Sequence, residues 1–260
     1  MMSRLWQPKS LIRALHSSCT RHTLHPFLET ASSGSVAHAI TYSQQISEQE
    51  PEPFRLVREQ AISFDAHEAR KMISPLQGSF MAQMVRAARA ENVLELGCYL
   101  GYSALWLAHG LGNDKGHVWT CERDMRVADH AAKHVAQAGL LQRISVVPEP
   151  ADKVLRDWDL ADRRLLDFIF IDANKSGYRG YYDLIMDRGL LSQGGLIVVD
   201  NVLFHGQVPQ VALGKQMADE GKGLRIAKKL LDFNQHVAQD SRTVQTLLPV
   251  FDGLLLVRRA

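Results

Sequence analysis

The sequence predicts an α/β fold, a doubly wound and mostly parallel sheet with helices on both faces. Three observations predict it. Short apolar runs alternate with helix-like stretches through the middle of the chain. The runs carry Val, Ile and Leu at consecutive positions, as strands buried on both faces of a parallel sheet do. A final pair of runs around Asp252-Gly253 reads as a hairpin, which adds an antiparallel strand at the C-terminus.

Taken in order, residues 1–28 carry Arg4, Lys9, Arg13 and Arg21, several serines and no acid. That is the composition of a mitochondrial targeting segment, or of a basic tail with no address. Residues 29–53 are polar and end in Pro51-Glu52-Pro53, which reads as a loose lead-in. The main domain is expected over 54–260. Its strand-like runs are 92–97, 117–122, 144–148, 166–172 and 195–201, followed by 243–249 and 253–258. Helix-like stretches fill 79–89, 102–110, 125–138, 153–159, 178–190 and 224–238, and Gly139 and Gly189 sit where two of them should stop. Strand–helix alternation of this kind closes through right-handed crossovers.

Composition removes several classes. The chain is 46% hydrophobic and 22% charged, an ordinary globular balance. No apolar run approaches the roughly 20 residues that span a bilayer. The net charge is +2; without the four basic residues of 1–28 the body is slightly acidic. It therefore lacks the concentrated basic face of a nucleic-acid binder. Cys19, Cys98 and Cys121 are too few for a disulfide framework and suit a reducing compartment.

The first strand-to-helix turn reads Glu95-Leu-Gly97-Cys98-Tyr99-Leu-Gly101-Tyr-Ser103. Glycines there let backbone approach a ligand, and free helix N–H groups face it. The Gly97-x-x-x-Gly101 spacing lacks the tight pyrophosphate turn of a dinucleotide site, which argues against a nicotinamide oxidoreductase. Glu122, ending the second strand, is placed to accept from ribose hydroxyls. A plain tight turn would use the same glycines, so the pair alone is weak.

Asp172-Ala-Asn174-Lys175 follows the fourth strand and Asp200-Asn201 ends the fifth. Neighbouring strands would bring both tips to the carboxyl edge, where such sheets bind ligands. Two carboxylates and an amide oxygen make a hard, oxygen-rich site suited to Mg²⁺. Loop capping by Asp and Asn is the alternative for either motif by itself. Lys175 is a candidate base or a lysine paired with Asp172 or Asp183. The histidines have no zinc spacing; His205, just past Asn201, is the one placed near the site. Cys98 reads as a small buried hydrophobe, and Asn234 is placed towards the pocket.

The ordered set ELGCYLGYSALWLA, TCERD, FIFIDANKSGYRGYYD, GGLIVVDNVLFHGQV and LLPVFDGLLLVRR resembles the metal-dependent O-methyltransferases of the caffeoyl-CoA and catechol type. The resemblance spans roughly residues 54–260 and implies a Rossmann-like methyltransferase fold with a seven-stranded sheet. It implies S-adenosyl-L-methionine as cofactor, touched by Glu95, Gly97, Cys98, Tyr99, Ser103, Glu122 at the ribose, Ala151 at the adenine, Asp172 and Asn174. It implies Mg²⁺ or another hard divalent cation on Asp172, Asp200 and Asn201, with Lys175 removing a proton. The acceptor would be a hydroxylated aromatic small molecule, and caffeoyl-CoA-type members are usually homodimers. The chain departs from the family pattern at Asn174, where a second acid is common, and at Phe204 and His205, where a Trp is usual. It departs again at residues 73–78 and 207–223, and substrate contacts are expected from Phe204 and His205. A silent cofactor-binding protein and a methyltransferase with a non-catechol acceptor are the remaining readings. A nucleic-acid or protein N-methyltransferase would carry an Asp/Asn-Pro-Pro-Tyr motif that is absent here.

Overall fold

The computed structural model describes residues 33–112, 115–159, 164–215 and 221–260. The basic segment 1–28 lies outside the described residues. Helix α1 (Ser33–Ile46) belongs to a unit ending at Ser47, and Glu48–Ala260 form a second unit. The polar stretch 29–53 is therefore not only a lead-in. It holds α1 and the start of α2 (Glu52–Phe64). The misreading has a physical cause. Pro53 sits in the first turn of α2, where a missing N–H costs nothing, so it starts a helix instead of breaking one.

After a 3-10 turn at Glu68–Lys71 come α3 (Pro75–Ala87), β1 (Asn92–Leu96), α4 (Tyr102–Gly110), β2 (His117–Cys121) and α5 (Met125–Gln137). They are followed by β3 (Ile144–Val147), α6 (Ala151–Asp157), β4 (Leu166–Ile171), α7 (Tyr178–Asp187) and β5 (Leu191–Val199). Short α8 (Gln207–Ala212), long α9 (Lys222–Gln239), β6 (Thr243–Leu248) and β7 (Leu254–Arg259) complete the chain. Helix α3 begins four residues before the apolar pattern suggests, because Ser74 caps it by accepting from the Gln77 N–H at 3.2 Å. Gly139 and Gly189 take left-handed φ of 72° and 62° just past α5 and α7, as helix stops require.

The sheet has seven strands in the order β3-β2-β1-β4-β5-β7-β6. Strands β1 to β5 pair in parallel, and β7 runs antiparallel between β5 and β6. A hairpin signal alone leaves open which of its strands is inner. Leu254, Leu255 and Val257 are buried, so β7 takes the inner place, while β6 alternates with exposed positions.

Two cores flank the sheet, and the period-two alternation of strand side chains sorts residues between them. Leu94, Leu96, Ile169, Ile171, Ile197 and Val199 join Tyr178, Tyr182, Leu230 and Phe233 from α7 and α9. Val93, Val118, Phe168, Phe170 and Val198 join Phe54, Met81, Val85 and Trp106 from α2, α3 and α4. The chain winds outward from β1 to β3, then crosses to β4 on the other side of β1. The tips of β1 and β4 thus form the topological switch point where open α/β sheets bind ligands.

Candidate active site

Glycine at position 97 makes the switch point. Its φ is 104°, and a Cβ there would overlap the Asp172 carbonyl and come within 2.9 Å of Ala173 Cα. Tyr99 and Gly101 are also left-handed, at 48° and 89°. The turn therefore presents backbone to a ligand, and no side chain caps the first turn of α4. Glu122 orients the turn, accepting from the Tyr99 N–H and the Asp124 N–H, both at 3.0 Å.

The residues expected to touch the cofactor converge here. Glu95 is fully buried at the end of β1 and accepts from the Thr120 hydroxyl. Its other oxygen, Oε1, and the Tyr99 hydroxyl are buried without a hydrogen-bond partner. Orphaned polar atoms of this kind call for a ligand, since each leaves a desolvation penalty unanswered. Burial pushes the Glu95 carboxyl up to about 8, partly offset by the neighbouring Ser103 and Thr120 hydroxyls. Cys98 is buried, donates its N–H to Cys121 O at 3.0 Å, and has its thiol pushed up by burial, which removes it as a nucleophile. Ala151 is buried at the start of α6, in the core cluster that holds Cys121 at the tip of β2. Asn174 is the outlier: it is exposed, and its amide oxygen caps the next turn by accepting from Ser176 N–H at 3.4 Å.

Asp172 and Asp200 end adjacent strands. The Asp172 N–H reaches Leu96 O at 2.9 Å, and the Asp200 N–H reaches Ile171 O at 3.0 Å. Lys175 Nζ donates to Asp172 Oδ1 at 2.6 Å and lies 5.6 Å from the centre of the Tyr178 ring. Asp200 is 3% exposed and accepts from Gln77 Nε2 at 2.7 Å and from the Asn201 N–H at 2.6 Å. Tyr178 donates its hydroxyl to Asp200 O at 3.1 Å. Burial raises both carboxyls. Asp172 is pulled back by Lys175, while the Asp172 charge raises Asp200 further, to about 7. Asn201 is left-handed at φ 58° and donates Nδ2 to Asp252 Oδ2 at 3.3 Å.

Phe204 packs against the core with its ring 5.2 Å from that of His205, and His205 is exposed with its N–H on Asp252 Oδ1 at 2.6 Å. Asn234 holds the same loop, donating to Val202 O at 3.0 Å. Among the described residues no three His, Cys, Asp or Glu side chains cluster as metal ligands; the set here is two carboxylates and an amide. Gln77, Thr120, Tyr178 and Asp252 were not anticipated as site residues. For Gln77 the only signal was its place in the divergent 73–78 segment.

A parallel sheet with one inserted antiparallel strand and a glycine cradle at the switch point defines a Rossmann-like methyltransferase. The chain belongs to the O-methyltransferase family of the caffeoyl-CoA type, whose family model matches residues 44–260. It is 31% identical over 226 residues to "Probable caffeoyl-CoA O-methyltransferase 1" of Dictyostelium discoideum, covering 85% of this chain and 90% of that one. It is 32% identical over 215 residues to Caffeoyl-CoA O-methyltransferase 1 of Nicotiana tabacum, covering 81% and 85%. The S-adenosylhomocysteine-bound methyltransferase PaMTH1 of Podospora anserina superposes with a TM-score of 0.79 at 28% identity, over 92% of this chain and 99% of that one. The protein is an S-adenosylmethionine-dependent O-methyltransferase.

Glu95 yields a pH test. The folded chain keeps the Glu95 proton up to about pH 8, whereas the unfolded chain loses it near 4.5. Its contribution therefore turns unfavourable as pH rises through that window. Urea unfolding of Glu95→Gln without cofactor should show a gain on the order of 2–4 kcal/mol at pH 8.5 and none at pH 4.5. The same variant should bind S-adenosylhomocysteine at least about tenfold more weakly, for want of one acceptor oxygen. Equal stability of the two chains at both pH values would remove the buried, protonated Glu95.

Proposed function

We propose that the protein methylates one hydroxyl of a catechol-like or caffeoyl-type small molecule, using a hard divalent cation held by Asp172, Asp200 and Asn201, with Lys175 as the base. One observation carries this reading. Two carboxylates, Asp200 buried and Asp172 partly buried, end adjacent strands beside the glycine turn with Lys175 on Asp172, and the Asp172 charge raises the cost of ionising Asp200. Such a pair is a poor structural ion cluster and a good oxygen donor set for a cation such as Mg²⁺. The names of the Dictyostelium and tobacco relatives add caffeoyl-CoA as the acceptor class to test.

When bound, S-adenosylmethionine supplies the methyl group and the cation supplies the charge that makes a phenol acidic near neutral pH. The chain's own residues do the rest. Asp172 shares its carboxylate with Lys175, so Nζ is held at the site and not in bulk water. Gln77 and the Asn201 N–H fix the Asp200 carboxylate from two sides. Lys175 Nζ, as the free amine, would take the proton that the acceptor hydroxyl releases. Orientation of that oxygen against the methyl carbon is where most of the rate gain would come from. Phe204 and His205, on the loop beyond Asn201, are proposed to meet the acceptor ring. The basic segment 1–28 is proposed to direct mitochondrial import; a mature chain still beginning at Met1 or Met2 by N-terminal sequencing would overturn that.

Methylation of catechols, flavonoids and caffeoyl thioesters should vanish in excess chelator and return with Mg²⁺, and mono-hydroxylated controls should be poor acceptors throughout. Full activity in chelator sinks the metal. Lys175→Ala should lower kcat by about 10²–10⁴ while S-adenosylhomocysteine affinity by calorimetry stays within a fewfold. Undiminished turnover removes Lys175 as the base.

A further inference from the structure

The loop that follows β5 is held in an unusual backbone. Asn201, Phe204 and His205 have φ of 58°, 46° and 53°, and Gly206 has 74°. Phe and His seldom occupy this region unless their surroundings hold them there, whereas Asn enters it more readily. The surroundings here are the corner of the β6–β7 hairpin. Gly253 O accepts the Val202 N–H at 3.2 Å, and Asp252 O accepts the Leu203 N–H at 3.0 Å. The Asp252 carboxylate spans the same loop: Oδ1 takes the His205 N–H at 2.6 Å and Oδ2 takes Asn201 Nδ2 at 3.3 Å. Gly253 permits the approach, since a Cβ there would lie 2.8 Å from Leu203 N and its φ is 87°.

The last of these bonds has a chemical consequence. An amide side chain offers an NH₂ donor and a carbonyl acceptor that can exchange places by a flip. A carboxylate can only accept, so beside Asp252 the Asn201 amide must turn its nitrogen inward. The oxygen, the one atom of that amide able to ligate a hard cation, is then the atom left for the site. We propose that Asp252 is a positioning residue, which sets the amide orientation of Asn201 and holds its loop so that Oδ1 serves as the third metal ligand. This rests on the metal reading above. Partners behind a ligand typically change metal affinity by about 10–100-fold.

The test is Mn²⁺ binding to the full chain saturated with S-adenosylhomocysteine, read by loss of the free-ion electron paramagnetic resonance signal. Asp252→Ala should weaken Mn²⁺ binding by about tenfold or more, and Asp252→Asn, which keeps an acceptor oxygen, should recover part of it. S-adenosylhomocysteine affinity should change little in both. A double-mutant cycle separates positioning from long-range charge. If Asp252 acts through Asn201, adding Asp252→Ala to Asn201→Ala should cost less than about threefold more. If the two losses multiply, Asp252 acts by its charge and the proposal is overturned. Mn²⁺ affinity within twofold of wild type in Asp252→Ala also overturns it, and where that variant does not fold, wild-type affinity in Asp252→Asn, with no loss for the acceptor it gives up, does the same. A wild-type chain that binds no Mn²⁺ overturns the metal reading itself, a distinct result.

Discussion

The contact between Gly97 and the carbonyl of Asp172 ties the glycine turn to the tip of β4. A side chain at position 97 would wedge these tips apart. With hydrogen alone there, the backbone of the first turn can lie against the strand that carries Asp172 and Lys175. The rest of the site follows from strand adjacency. The Asp172 N–H reaches the tip of β1, and the Asp200 N–H reaches the tip of β4. Cradle, carboxylates and lysine are thus parts of one hydrogen-bonded edge.

That edge gathers carboxyl groups where water is scarce. Glu95 and Asp200 are buried and Asp172 is partly buried, and desolvation raises all three carboxyls. A fold optimised only for stability would replace them with apolar residues, because buried ions seldom repay their desolvation. Their retention beside unpartnered polar atoms marks a place where stability yields to binding. Glu95 and the Asp172–Asp200 pair do so on opposite sides of the switch point.

The sheet was legible because β1, β3, β4, β5 and β7 carry short runs rich in Val, Ile, Leu and Phe, and the helix stops because Gly139 and Gly189 stand where left-handed φ is needed. The motif residues at strand ends were legible for a related reason: topology delivers strand tips to one edge whatever the loops do. The first helices were missed because Pro51, Pro53 and a polar lead-in resemble a linker, although Phe54, Val57 and Ala61 fall on one helical face. Gln77 and Asp252 were missed for a deeper reason. Their partners lie 123 and 51 residues away in the chain. No local pattern records a contact made only after the sheet closes, and an Asp-Gly pair in a hairpin is fully explained by the turn it makes.

Glu50 shows where the folded unit begins. Its carboxylate accepts from Arg58 at 2.9, 3.2 and 2.8 Å and from the Tyr102 hydroxyl at 2.5 Å. Tyr102 opens the helix that follows the glycine turn. The polar stretch that reads as a loose lead-in therefore reaches that helix through one carboxylate. A chain trimmed at residue 54, where the alternating pattern starts, would leave a buried phenol and a guanidinium without their shared acceptor. Sequence periodicity marks where a core begins to repeat, and the margin of the domain lies several residues earlier, at the last side chain that the core needs.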